Sequence, residues 1–213
     1  MKSSIIVFRT CLFVSFVFLS AFLNAQRFDG GIKAGIVASE VSGDELAGPN
    51  KLGFFAGVYT NREISEYSKF QLELSYISKG SRGIPSENQP RNYKLNLGYA
   101  ETSLFFIHNL KKYSSQSYIQ KMSAEVGLSF GVLVNYFESQ DGFEIDLSQN
   151  RPFYGYEGNI WAGFYLPIND NLNFNLRYSN SITPIRKHQS GIVVWYNWGQ
   201  YHSLWTFGFE YTF

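Results

Sequence analysis

Residues 204–213 constrain the fold more than any other part of the chain, because aromatic and small side chains alternate there without a break. An aromatic residue occupies every odd position from Trp205 to Phe213, and every even position from Thr206 onward is small or polar. Successive side chains of a β-strand point to opposite faces, so this segment is predicted to be a strand with one wholly aromatic face. Such a face must be covered either by a second layer of protein or by lipid.

We predict a strand for each of seven further segments, most of which show related alternation: 28–37, 52–60, 70–78, 95–107, 123–134, 154–166 and 172–179. Strands of roughly 9–13 residues are long enough to cross a bilayer when tilted. Polar connections separate them, including 61–69, the glycine- and proline-containing segment 79–92, and a tight turn at 167–170 that begins with a proline. The sequence therefore predicts an all-β fold, an eight-stranded antiparallel up-and-down transmembrane β-barrel with both termini at one end.

The polar face of these strands favours lipid on the outside. A soluble lipocalin-like barrel has the same period, but its exterior would carry lysine, glutamate and threonine. Here the polar face repeats small residues, which suit the narrow interior of an eight-stranded barrel. The glycines concerned are Gly31, Gly35, Gly127, Gly131, Gly163 and Gly208.

The facing of two strands is left open. Both faces of 52–60 are apolar, so its register is not determined. In the fourth strand, Leu95, Leu97 and Tyr99 are odd, whereas Leu104 and Phe106 are even. Either a bulge lies near Glu101 to Ser103, or the upper odd residues face inward above the membrane.

Residues 1–25 have the features of a cleaved signal peptide. Basic residues precede a nearly unbroken apolar run from Cys11 to Phe22, and Ala25 offers a cleavage site before Gln26. Residues 26–213 are then the barrel domain, exported to the outer membrane. The removal of Lys2 and Arg9 takes the basic count from 18 to 16 against 17 acidic residues, which gives no argument for nucleic-acid binding. Cys11, the only cysteine, lies in the removed segment, so no disulfide or cysteine metal site is expected.

Three short segments carry a resemblance to a known family: Phe28-Asp-Gly-Gly-Ile-Lys-Ala-Gly, Tyr99-Ala-Glu-Thr-Ser-Leu and Leu176-Arg-Tyr-Ser-Asn-Ser-Ile. The chain resembles the PorT-type outer-membrane β-barrels in these motifs and along essentially its whole mature length. At Thr102-Ser103 the family has Ile-Pro, so this strand lacks the proline kink. The resemblance implies an eight-stranded outer-membrane barrel. Because one member serves a protein-secretion system, it also makes envelope or secretion proteins candidate partners.

Alternation places seven charged residues in the barrel interior: Lys33, Glu73, Glu101, Glu125, Glu157, Arg177 and Glu210. One interpretation is a cation-binding or proton-conducting lumen. The other is a hydrogen-bonded plug of ion pairs and waters in a barrel too narrow to conduct. An unpaired buried carboxylate is costly, so some of these carboxylates are expected to be protonated, hydrated or paired with Arg177. Barrel width favours the plug.

Two segments invite comparison with lipid A deacylases, whose His-x-Ser-Asn motif works on the lipid-facing side of a small barrel. In 177–180 an arginine replaces the histidine and cannot act as a base, and Ser179 faces the lumen by alternation. His188 and Ser190 lie in a long loop. Because a base must reach its nucleophile, the sequence predicts no catalytic site, and it offers no cofactor or metal site.

The aromatic residues Phe209, Tyr211 and Phe213 are a predicted insertion signal for the barrel-insertion machinery. Ile192 to Trp198, in the last loop, is either a partner-binding tip or part of an aromatic girdle at the membrane surface. The leading hypothesis is a non-enzymatic integral outer-membrane protein with a structural or partner-binding role. A membrane-embedded lipid-modifying enzyme and a narrow solute or ion pore are the alternatives.

Overall fold

The computed structural model describes residues 28–44, 46, 48–85, 92–145, 153–187 and 199–213. Eight long strands and one short strand account for most of them: β1 Asp29–Ser42, β2 Lys51–Ser65, β3 Ser68–Gly83, β4 Tyr93–Asn109, β5 Ser123–Gln140, β6 Phe143–Glu144, β7 Tyr156–Pro167, β8 Leu172–Ser181 and β9 Tyr201–Thr212. A 3₁₀ helix, Leu110–Tyr113, and a short helix α1, Ser117–Gln120, lie between β4 and β5. In the part of the chain described, no helix has the length and apolar character needed to cross a bilayer.

The long strands close into one antiparallel barrel, in the order β1-β2-β3-β4-β5-β7-β8-β9 and back to β1. The closing pair joins β1 to β9, from Gly31 opposite Thr212 to Ser42 opposite Tyr201. The two-residue strand β6 folds back on the end of β5. The predicted eight-stranded barrel is therefore confirmed, and its aromatic last strand is the one that closes it.

The outward face of the barrel is a continuous apolar band. Ile36 is 58% exposed and Leu128 is 59% exposed, values that an aqueous surface would not support around a whole barrel. Other large apolar side chains of this band are Ile32, Phe54, Val58, Leu72, Leu74, Leu104, Phe130, Ile160, Phe164, Phe207 and Phe209. Hydrocarbon covers such a surface, as the alternation predicted.

The structure settles the two open strand facings. In β2 the even residues face outward and Phe55 and Tyr59 face inward. In β4 the odd residues face inward along the whole strand, and Leu95, Leu97 and Tyr99 are fully buried. No bulge occurs at residues 101–103. The irregularity lies in the partner strand, where Gly98 pairs with Asn135 but Tyr99 pairs with Leu133.

Two predicted connections are wrong. Residues 61–65 and 68–69 belong to β2 and β3, which meet in a tight turn at Glu66 and Tyr67, so the 61–69 connection is much shorter than predicted. Residues 79–83 belong to β3 and pair with β4. The strands continue beyond the apolar band, where both faces carry polar side chains, so pairing persists after the hydrophobic alternation has ended.

Inward-facing glycines make room for large interior rings. A Cβ atom on Gly208 would lie 2.3 Å from Cζ of Phe55, and one on Gly35 would lie 2.7 Å from Cε1 of the same ring. Phe55 therefore packs into a notch in the wall formed by β1 and β9. Small residues at these positions are required by close approach rather than by backbone conformation.

Candidate functional site

The inward-facing side chains form layers along the barrel axis. We call the end that holds Asp29 and Thr212 the terminal end, and the opposite end the loop end. From the terminal end, a lower charged cluster is followed by an aromatic layer, an upper charged cluster and a cap. The lower cluster consists of Lys33, Gln71, Glu73, Glu125, Tyr165, Asn175, Arg177 and Glu210, all buried.

Arg177 is the centre of the lower cluster. Its Nη1 and Nη2 donate to Glu73 at 3.0 and 2.8 Å, and its Nε and Nη2 donate to the two oxygens of Glu125 at 2.7 and 3.0 Å. Lys33 pairs with the same Glu73. Asn175 donates to Glu125 at 2.7 Å. Bidentate, charge-assisted bonds of this kind are the strongest hydrogen bonds available to side chains.

Glu210 is held by neutral donors as well as by Arg177. The Tyr165 hydroxyl donates to Glu210 at 2.9 Å and accepts from Arg177 Nη2 at 2.7 Å. Gln71 donates to Glu210 at 3.2 Å, and the direct Arg177 contact is longer, at 3.3 Å. The third carboxylate of the cluster is thus satisfied through a shared tyrosine and glutamine.

An aromatic layer of Phe55, Phe105 and Trp161 separates the two charged clusters. The guanidinium carbon of Arg177 lies 3.9 Å from the centroid of the Phe105 ring, so the arginine stacks on this layer. A cavity beside it touches both Glu73 below and Glu101 above. The space it offers to a water-sized molecule is about 10 Å³, roughly the room for one water.

The upper charged cluster consists of Lys79, Tyr99, Glu101, Glu157 and His202, all 3% exposed or less. Lys79 contacts Glu157 at 2.9 Å and Glu101 at 3.3 Å, and His202 Nδ1 lies 2.9 Å from Glu157. The Lys79 ammonium also lies 4.8 Å from the centroid of Tyr99. One lysine and one histidine therefore face two carboxylates in an almost fully buried site.

A cap closes the loop end above this cluster. Phe153, Arg186 and Gln200 pair through isolated bridges, and the adjacent Ile185 is fully buried. Arg186 donates to Glu138 at 3.0 Å. Burial by itself would lower the pKa of Arg186, but its contacts with Tyr93 and Glu138 raise that pKa above the ordinary value. The arginine is held as a cation in the cap.

The structure places all seven sequence-predicted interior residues inside the barrel, in two groups. Lys33, Glu73, Glu125, Arg177 and Glu210 share the lower cluster, whereas Glu101 and Glu157 lie in the upper one. Sequence reasoning missed Lys79, which was assigned to a loop, and His202. Both would have been found if the odd-numbered residues of β3 were taken to face inward as far as Gly83, and the even-numbered residues of β9 from the start of that strand.

The outward face of the described residues carries a serine–histidine pair that sequence reasoning also missed. Ser68 and His108 are cross-strand partners on β3 and β4, and the serine Oγ lies 2.8 Å from His108 Nδ1. The imidazole is stacked on Phe106 and contacts Tyr113, with ring centroids 6.3 and 5.6 Å apart. Its Nε2 has no hydrogen-bond partner among the described residues. Ser179, in contrast, is buried inside the barrel.

The predicted insertion-signal residues lie on the outward face at the terminal end. Phe209 and Tyr211 are about half exposed, and Phe213 is 80% exposed. Its backbone nitrogen donates to the Gly30 carbonyl at 3.0 Å, which extends the β1–β9 pairing past the strand end. Residues 1–25, His188, Ser190 and the Ile192–Trp198 segment lie outside the described residues.

A closed eight-stranded barrel with an apolar exterior and a charged, filled interior defines an integral membrane β-barrel of the outer-membrane class. The sequence profile of the outer membrane protein beta-barrel domain matches residues 24–187. The chain belongs to this family, and the protein lies in the outer membrane. The usual arrangement of such barrels, with short inner turns and long outer loops, predicts that the terminal end is periplasmic.

The chain is similar to several solved structures at low sequence identity. CarO of Acinetobacter baumannii is 10% identical with a TM-score of 0.51, and the match covers 86% of this chain and 97% of that one. Neisserial surface protein A is 11% identical with a TM-score of 0.49, covering 86% and 97%. Ail of Yersinia pestis, in complex with the heparin analogue sucrose octasulfate, is 12% identical with a TM-score of 0.43, covering 88% and 99%. No curated protein matches the chain.

Proposed function

We propose that the protein is a non-conducting, non-enzymatic outer-membrane barrel that presents a rigid platform to partners at the cell surface. The filled interior is the observation that carries this proposal. Two ion-pair clusters, an aromatic layer and a cap occupy the described interior in succession. The cavity between the clusters holds about one water, so it offers no continuous aqueous path.

The platform is the part of the wall that rises above the membrane. Asn135 donates to Tyr76 at 3.1 Å and Ser78 donates to Asn96 at 2.8 Å, just above the apolar band. Beyond this polar belt, β3, β4 and β5 remain paired. Their inner side carries an apolar core, which includes Leu95, Leu97, Phe153 and Ile185. A wall supported in this way is stiff enough to serve as a binding surface.

The β5–β6 hairpin forms the tip of this wall. Asp141 and Gly142 have φ angles of 53° and 87°, as a tight hairpin turn of mirror-image type requires. Phe143 follows the turn and is 80% exposed. Sequence motifs resembling the PorT-type barrels support envelope or secretion proteins as the class of partner. A partner that co-purifies with the wild type and is lost with Phe143→Ser would support this role.

Conductance tests the closed interior. Wild-type protein in planar bilayers should pass no current above that of the empty bilayer. The double variant Phe55→Ser, Phe105→Ser removes two of the three rings that separate the clusters and should leak if it assembles. Stable single-channel currents from the wild type would favour the pore alternative and overturn the proposal.

The lipid-modifying alternative rests on Ser68 and His108, the outward pair within hydrogen-bond distance. Catalysis by such a pair ordinarily needs a third group to orient the histidine, and Nε2 has no such partner among the described residues. The ring stack offers a structural explanation for the pair instead. Ser68→Ala and Ser179→Ala should leave the masses of lipid A and phospholipids unchanged on overexpression. A mass change that Ser68→Ala abolishes would establish the enzyme reading.

A further inference from the structure

The connection between β4 and β5, residues 110–122, is the most strongly basic exposed segment described. Its sequence is Leu-Lys-Lys-Tyr-Ser-Ser-Gln-Ser-Tyr-Ile-Gln-Lys-Met, with three lysines and no acidic residue. Lys111, Lys112 and Lys121 are all exposed. None of the three takes part in the interior clusters, so the closed barrel does not account for them.

The fold gathers these lysines at one place. Leu110 N donates to the Met122 carbonyl at 2.9 Å, and this bond closes the base of the connection. Along the chain, Lys111 directly follows Leu110 and Lys121 directly precedes Met122, so both lie next to this bond. Lys112 is the next residue of the 3₁₀ helix. The connection is ordered by its own contacts, since the Asn109 side chain accepts from Lys111 N at 2.9 Å.

A series of ring contacts links the connection to the lipid-facing surface of the barrel. Phe70 and Phe106 are lipid-facing and have ring centroids 5.6 Å apart. Phe106 stacks on His108, and His108 contacts Tyr113 at 5.6 Å. Tyr113 is 71% exposed. The connection therefore continues the outer wall at the level where aromatic residues of membrane proteins meet the headgroups.

We propose that residues 110–122 form an anchoring site for anionic phospholipid headgroups in the inner leaflet of the outer membrane. The lysines supply the charge complementarity, and Tyr113 and Tyr118 supply exposed amphipathic rings on the same connection. The terminal end is periplasmic, so the adjoining leaflet is the phospholipid one. The site is distinct from the loop-end platform and does not depend on the proposed partner role.

The neighbouring turn sets the charge balance of the site. Glu63 and Glu66 lie at the end of β2 and in its turn to β3, and Asn109 N donates to the Tyr67 carbonyl at 2.7 Å. These carboxylates oppose an anionic headgroup. Their neutralisation by Glu63→Gln and Glu66→Gln should therefore strengthen lipid retention, in the direction opposite to loss of the lysines.

Native mass spectrometry in neutral detergent tests the proposal with phosphatidylglycerol and phosphatidylcholine of the same acyl chains. The wild type should retain phosphatidylglycerol preferentially, with a contribution of about fivefold per lysine at low salt. The triple variant Lys111→Gln, Lys112→Gln, Lys121→Gln should lose that preference. The matched control is Arg82→Gln, Lys94→Gln, Lys187→Gln, which removes three exposed cations at the loop end and should keep it.

Salt provides a second measurement that needs no variant. Raising the salt from low to about 0.5 M should abolish the preference of the wild type, because exposed charges are screened within a few ångströms there. The Tyr113→Leu variant should reduce retention of both lipids while the preference persists. Equal retention of the two lipids by the wild type would overturn the proposal. So would a triple variant that keeps the preference, or a loop-end control that loses it equally.

Discussion

Arg177 on β8 donates two hydrogen bonds to Glu73 on β3, at 3.0 and 2.8 Å, and these two strands stand opposite each other across the barrel. In the closed order, β3 and β8 are four strands apart in either direction. The pair thus spans the full width of the interior and does not join neighbouring strands. Lys33 and Glu125 join it from two further strands, so a single guanidinium links opposite sides of the wall.

Removing Arg177 should destabilise the barrel strongly. The variant Arg177→Ala leaves Glu73 and Glu125 buried without their principal cation, a loss of about 3–5 kcal/mol in the free energy of unfolding for a buried pair. The measurement is urea unfolding in lipid vesicles, followed by the heat-modifiable gel shift. Arg82→Ala removes an exposed arginine and serves as the control. If both variants lower the free energy of unfolding by the same small amount, Arg177 does not stabilise the barrel by linking its opposite sides.

The lipid-facing assignment predicts a depth-dependent cost for charge. Leu128 lies near the middle of the outward face of β5, between Leu104 and Ile160 on the adjacent strands. Leu128→Arg should lower the free energy of unfolding by about 2–4 kcal/mol, as for arginine near a bilayer midplane. Leu128→Ala should cost much less, because the site has no packed core to empty. An arginine tolerated as well as alanine would place this face in water.

The alternation of side chains was enough to predict the barrel and its inside and outside, because hydrocarbon imposes a period of two on every crossing strand. It failed where the strands leave the hydrocarbon. Lys79 and His202 lie on stretches whose adjacent residues, such as Ser78 and Ser203, are polar, so the pattern ends although the pairing continues.

The partners within the interior clusters could not be predicted in the same way. That Lys33 meets Glu73, while Lys79 meets Glu157, depends on the relative height of strands across the barrel. This stagger is fixed by the register of all eight pairings together and not by any one segment. The extra residue in β5 near Asn135 changes which of its side chains point inward, and the sequence alone gave no sign of it.

Because the Phe55 ring packs into the notch at Gly208, substitutions at these two positions should have non-additive effects on the free energy of unfolding. Gly208→Ala would bring a methyl group within 2.3 Å of the Phe55 ring and 2.9 Å of the Ala34 carbonyl oxygen, so the variant should be destabilised. Phe55→Ala should cost about 3–5 kcal/mol by leaving a cavity. The double variant should cost less than the sum of the two, with a coupling energy of about 0.5–3 kcal/mol. Strict additivity in urea unfolding would show that the ring and the glycine do not share the notch.

Phe213 tests the proposed insertion signal, and the barrel offers a closely matched control. Phe213 and Phe143 are both 80% exposed, at opposite ends of the barrel, so serine at either position removes a similar apolar area. The backbone bond from Phe213 N to Gly30 survives a substitution, so Phe213→Ser isolates the side chain better than a deletion would. If the insertion machinery recognises the terminal aromatic, Phe213→Ser should slow the appearance of the heat-modifiable form after pulse labelling, and Phe143→Ser should not. The final stability of both proteins in urea should be unchanged, since neither ring is packed in the core. Equal assembly rates for the two variants would show that the terminal ring is not the recognition element.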